Sequence, residues 1–173
     1  MNKYLQDLIK LSKFDTAISM FEPKIENEKA KLATFVETAA SIKASINSIY
    51  LEIDDVKSKR TKNNIHLAEL KTKLENIAKK NKDVTNEKEL KALQLEEEIA
   101  KEQISFANEE IDRLDNLTKN KEVTLKELQE KLAVEEEDIK EIQVAVDSTI
   151  EEISKERNVV YQERSELLEK FDN

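Results

Sequence analysis

The chain has 173 residues with no glycine, one proline, no cysteine and no tryptophan, and a formal net charge of −9. Tight turns usually draw on glycine for positive φ, so sheets, phosphate-binding loops and nucleophile elbows are excluded by composition. Charged residues make up 39% and the 38% apolar fraction is mostly aliphatic, which suits long helices or coiled coils.

The N-terminus carries Lys3, Asp7, Lys10 and Lys13 among its apolar residues and has no continuous apolar core, so no signal peptide is expected. No 18-residue apolar run occurs, so no membrane span is expected and the default location is the cytoplasm. Without cysteine there are no disulfides and no thiolate metal ligands.

The first predicted element covers about residues 4–79. Stepping by seven from Leu11 meets Ile18, Ile25, Leu32, Ala39, Ile46, Ile53, Arg60, Leu67 and Leu74. Stepping by seven from Phe14 meets Phe21, Glu28, Phe35, Ile42, Ile49, Val56, Asn63, Leu70 and Ile77. An a/d repeat held this long without a phase break predicts a supercoiled helix. Pro23 falls at an outward position of this series. It removes one backbone hydrogen bond and predicts a bend near residues 19–23.

The polar stretch KKNKDVTNEKE interrupts both series and predicts a turn over about residues 80–86. Asn81 and Asp83 read as turn formers, and Asn86 as an N-cap with Glu89 as its capping-box carboxylate.

The second element covers about residues 87–172. One line runs Leu90, Glu97, Ile104, Ile111, Thr118, Leu125, Leu132, Ile139, Val146, Ile153, Val160 and Leu167. Its companion runs Leu93, Ala100, Ala107, Leu114, Lys121, Leu128, Glu135, Ile142, Thr149, Glu156, Glu163 and Lys170, and weakens toward the C-terminus. A short link between two such helices predicts an all-α antiparallel two-helix coiled-coil hairpin. Three registers one heptad apart satisfy both phases. The middle one centres the turn between Asp83 and Val84 and sets Arg60 opposite Ala107.

Charge differs between the arms. Residues 1–80 hold 15 Lys/Arg against 11 Asp/Glu, and residues 81–173 hold 14 against 27. A basic arm pairing with an acidic arm is the simplest reading. An acidic chain is a poor general nucleic-acid binder, so no nucleic-acid partner is expected. Polar residues within the seam, Glu28, Arg60, Asn63 and Glu97 together with Lys121 and Glu135, read as register control.

The search for chemistry is negative. His66 stands alone at a flank position with no second metal-ligand candidate beside it. The acidic runs Glu96–Glu98 and Glu135–Asp138 point to different sides of a helix, since neighbours diverge by about 100°. A two-helix hairpin has no cavity in which to shift a pKa. No catalytic residue, no metal ligand and no cofactor is expected, and the chain is not expected to be an enzyme. One outward feature stands above background: Leu95, Ile99 and Phe106 fall within about 40° of one another on the outer face of the second helix. Such a stripe is a candidate partner-binding or self-association surface.

Two stretches carry a resemblance. LQDLIKLSKFDTAISMFEPKI, residues 5–25, and NEKELKALQLEEEIAKEQISFANEEIDRL, residues 86–114, resemble the helices of the coiled-coil zinc-ribbon family typified by the flagellar protein FlgZ. The resemblance implies a helical hairpin that binds the sigma factor RpoN (sigma-54) and supports flagellar gene expression. In some relatives it also implies links to type III secretion components or flagellin mRNA. It further implies a C-terminal Cys-x-x-Cys zinc ribbon. The sequence departs from the family here: it has no cysteine, so the ribbon and its zinc are expected to be absent from this chain, and with them any metal or RNA function. A structural stalk and a type III secretion-associated adaptor stay open as alternatives, and so does pairing of two chains into a homodimer.

Overall fold

A computed structural model describes residues 2–171. Two helices, α1 (Lys3–Asp83) and α2 (Glu87–Glu169), account for nearly all of it. The fold is the expected all-α helical hairpin. The C-terminal limit of the second arm, expected near residue 172, lies outside the described residues; α2 itself closes at Glu169.

The link is shorter than expected. Asp83 is the last residue of α1, not a turn residue, and only Val84, Thr85 and Asn86 are non-helical. Lys80 and Lys82 lie in the last turn of α1, where cations favour the negative end of the helix dipole and help it persist. Asn86 caps α2: its Oδ1 accepts the Lys88 N–H at 2.9 Å, and its carbonyl accepts the Leu90 N–H at 3.0 Å. Glu87 and Glu89 sit in the first turn, at the positive end of the dipole. The capping-box bond expected from Glu89 is not made; the Glu89 carboxylate forms no hydrogen bond among the described residues. No described residue has positive φ, so the link is built without the conformation that glycine supplies.

The chain divides into two compact units, each a pair of helical segments. The turn unit comprises Ala44–Gln129. Its core holds Ile46, Ile53, Val56, Leu70 and Ile77 from α1 with Ala100, Ala107, Ile111 and Leu114 from α2, all predicted seam positions. Leu114 is the most enclosed large side chain, 1% exposed.

Three side-chain contacts tie α1 to α2 in this unit. Arg60 donates to both carboxylate oxygens of Asp115. Lys121 Nζ donates to Glu52 at 2.8 Å, and Gln129 Nε2 to the Tyr50 hydroxyl at 3.0 Å. Arg60 was expected opposite Ala107 and instead holds Asp115, about two turns farther along α2. The Arg60–Asp115 and Glu52–Lys121 pairs displace the register toward the C-terminus of α2, close to the next heptad-allowed one, while Gln129 reaches Tyr50 from a few residues farther along α2.

The terminal unit comprises Met1–Lys43 and Glu130–Asn173. Phe21, Ile25, Ala39, Val146 and Leu167 are its buried residues. Arg164 Nε donates to Asp15 at 2.7 Å and Lys43 pairs with Glu136 at 3.5 Å; the two pairs lie four heptads apart on both helices, so the register is constant between them. Tyr4 and Phe171 meet edge-to-face with centroids 5.4 Å apart. Helix α1 runs uninterrupted through Pro23, which is exposed while Phe21 and Ile25 on either side are buried. The missing amide thus falls on the solvent side, where the seam does not need it.

The weak companion line resolves here. Thr149 and Ile150 are both half-buried; beyond them Glu156, Glu163 and Lys170 are exposed, and Arg157, Arg164 and Phe171, one position on, are half-buried in their place. Charged carboxylates are costly to bury, whereas arginine stems can lie along an apolar seam with the head in water. The buried line shifts by one residue as a result.

Candidate functional site

The seam polar residues are all provided for, with one exception. Glu28 accepts from Lys31 at 2.8 Å, and Glu97 pairs with Lys101 at 2.9 Å. The Glu97 hydrogen bond, helped by its charge, raises the Lys101 pKa above the ordinary lysine value. Asn63 Nδ2 bonds back to the Lys59 carbonyl at 3.2 Å, and Arg60 holds Asp115. The exception is Glu135 in the terminal unit, whose Oε2 is buried without a hydrogen-bond partner.

The outer stripe lies wholly within the turn unit. Leu95, Ile99 and Phe106 are 58%, 44% and 63% exposed. Their placement follows from the seam: Leu93, Ala100, Ala107 and the line through Leu90, Glu97 and Ile104 occupy the inner face, which forces the stripe outward. Phe106 also borders a groove of about 380 Å³ between the helices, lined by Asn63, His66, Gln103, Phe106, Ala107 and Glu110. The groove thus joins the stripe to the seam residues Asn63 and Ala107 and to the lone histidine. Glu110 at its edge is clamped by Arg113 through two hydrogen bonds of 2.9 and 2.6 Å. That clamp holds the Glu110 carboxyl below its ordinary pKa and pushes Arg113 up.

The turn residues form a second concavity. Lys80, Asp83, Val84, Glu89, Ala92 and Leu93 line a groove of about 400 Å³ beside the link. Asp83 and Glu89, expected as turn and cap, are thus brought together as its acidic rim, and Asn86 stays with the cap. His66 lies 4.0 Å from Glu69 through Nδ1. Among the described residues no group of three or more His, Asp or Glu is placed to hold a metal ion. No helix among them is long and apolar enough to cross a membrane.

The sequence reading missed the carboxylates beside the stripe. Glu98, Glu102 and Glu109 recur at helical spacing and fall within about 40° of one another, forming a lane beside the apolar one. The signal was present but hidden inside runs such as Glu96–Glu98, whose members point different ways.

Comparison with known proteins rests on structure. No family model matches the sequence, and no curated protein matches it. The chain is similar to the HP0958 protein from Helicobacter pylori, with a TM-score of 0.78 and 28% identity over 98% of this chain and 71% of that one. It is also similar to CT398 from Chlamydia trachomatis, with a TM-score of 0.87 over 96% of this chain and 70% of that one. At 17% identity the second likeness shows the fold alone.

Proposed function

We propose that the chain is a non-enzymatic protein-interaction module that binds the sigma factor RpoN in the cytoplasm and supports flagellar gene expression. The observation that supports an interaction role is the exposure of Leu95, Ile99 and Phe106 in one lane of α2. Aligned large apolar side chains on an outer face lose water contact only when something covers them. The groove at Phe106 adds a recess for a partner side chain. The resemblance of residues 5–25 and 86–114 to FlgZ-like proteins supplies the identity of the partner.

The test is titration of the chain with purified RpoN, comparing the parent with the triple variant Leu95→Asp, Ile99→Asp, Phe106→Asp. Circular dichroism checks that helicity is kept. Binding by the parent and its loss in the triple variant is the expected result. Binding that survives the substitutions moves the footprint elsewhere on the hairpin. Absence of binding by the parent refutes the RpoN reading for this chain.

A further inference from the structure

The chemistry of the outer face points beyond a generic apolar contact. From Leu95 to Glu110 the sequence has six glutamates and a single lysine. That lysine, Lys101, is already engaged by Glu97. Glu110 is engaged by Arg113. The Glu102 and Glu109 carboxylates form no hydrogen bond or ion pair among the described residues, and Glu98 acts on Lys101 only through its field. All three are exposed.

Two parallel lanes result. Leu95, Ile99 and Phe106 form the apolar one. Glu98, Glu102 and Glu109 form an acidic one displaced from it by about 60° around the helix. Uncompensated carboxylates beside an apolar strip create a local negative potential that steers a cationic partner and disfavours an anionic one. An amphipathic helix whose apolar residues recur at the same spacing, with lysines or arginines along one edge, matches both lanes at once.

We infer that the two-lane face of α2 seats a lysine- or arginine-rich amphipathic helix of a partner protein. The inference deepens the proposed function and rests on its assignment of the stripe as the contact surface. The apolar lane supplies the buried area. The acidic lane sets orientation and excludes helices of the wrong charge.

The test uses the whole chain and two synthetic helical peptides of about 20 residues, long enough to hold a helical population. Both carry leucines in one lane; one carries lysines beside them and the other glutamates. Affinities are read by fluorescence anisotropy at low and moderate salt. The lysine peptide is expected to bind at least about tenfold more tightly than the glutamate peptide, and to weaken as salt screens the exposed charges. The double variant Glu102→Lys, Glu109→Lys is expected to reverse that preference. The control variant Glu137→Lys, Asp138→Lys, an equal charge change in the terminal unit, is expected to leave it in place.

Equal affinity for the two peptides overturns the inference, and so does an equal loss from the control variant. Self-association of the chain through the apolar lane, unaffected by Glu102→Lys and Glu109→Lys, overturns it in favour of a second copy. The same charge-reversed variant separates this inference from the RpoN reading. RpoN binding that needs Leu95, Ile99 and Phe106 but ignores the charge reversal keeps that reading and removes this one. Charge-selective peptide binding without RpoN binding does the opposite.

Discussion

The turn unit and the terminal unit solve the same packing problem with different material. In the turn unit both lines of the α2 seam are largely apolar as far as Leu128, and nine core residues are buried at the expected positions. In the terminal unit the companion line carries Glu156, Glu163 and Lys170, and after Thr149 and Ile150, both half-buried, the half-buried line moves one residue to Arg157, Arg164 and Phe171. The difference shows what a heptad pattern secures. Where both lines are apolar, they dictate which face turns inward and leave the outer face free to carry lanes such as Leu95–Phe106. Where one line is charged, the seam is chosen by whichever neighbours can be buried at least cost.

The sharpest way to break the comparison is in the core. Leu114→Ala in the turn unit is expected to cost about 2–5 kcal/mol, because the side chain is almost fully enclosed. Ile150→Ala in the terminal unit is expected to cost less, about 1–2 kcal/mol, since Ile150 is only half-buried. Glu156→Ala, at the heptad position the seam abandons, is expected to stay within about 0.5 kcal/mol. Urea unfolding of the three variants measures the order. An equal cost at Glu156 and Ile150 would restore the unshifted seam.

Two changes of intermediate size address polar groups. Asn86→Ala removes the cap of α2 and is expected to cost about 1 kcal/mol in thermal unfolding. Glu135→Leu removes the carboxylate oxygen that is buried without a partner, and is expected to stabilise the protein by about 1 kcal/mol. Destabilisation by Glu135→Leu would mean that the carboxylate has a partner in solution.

The smallest effect is a pH dependence. The Arg113 clamp lowers the Glu110 pKa in the folded state, so its contribution to stability is present above the ordinary carboxylate value and fades as pH falls through the lowered one. Arg113→Gln is expected to remove that slight sensitivity, read as the difference between acid titrations of the two proteins. Arg113 is exposed and Glu110 only half-buried, so solvent and salt keep the effect small.

The helices, the seam of α1 and the outward direction of Leu95, Ile99 and Phe106 were legible because period and burial are one signal. Each α1 seam residue from Leu11 to Ile77 is buried or half-buried except Phe35, which is 37% exposed. Register was not legible, because a seven-residue period defines phase and leaves the choice among heptads to the link and to pairs such as Arg60–Asp115. The end of α1 was missed because Asn81 and Asp83 are favoured in turns when isolated, yet here they continue a packed helix. The grooves beside Phe106 and Val84 were out of reach too, since each needs residues from both helices.

The link of Val84, Thr85 and Asn86 has one consequence for how this protein can change over time. No residue of it has positive φ, so its backbone needs neither glycine nor any other special residue. Drift at Thr85, which carries neither the cap nor the groove lining, therefore meets no barrier from chain geometry. Residues around the tip groove can be exchanged by ordinary mutation while the path of the chain is preserved, so the identity of what the tip meets can evolve faster than the hairpin that presents it.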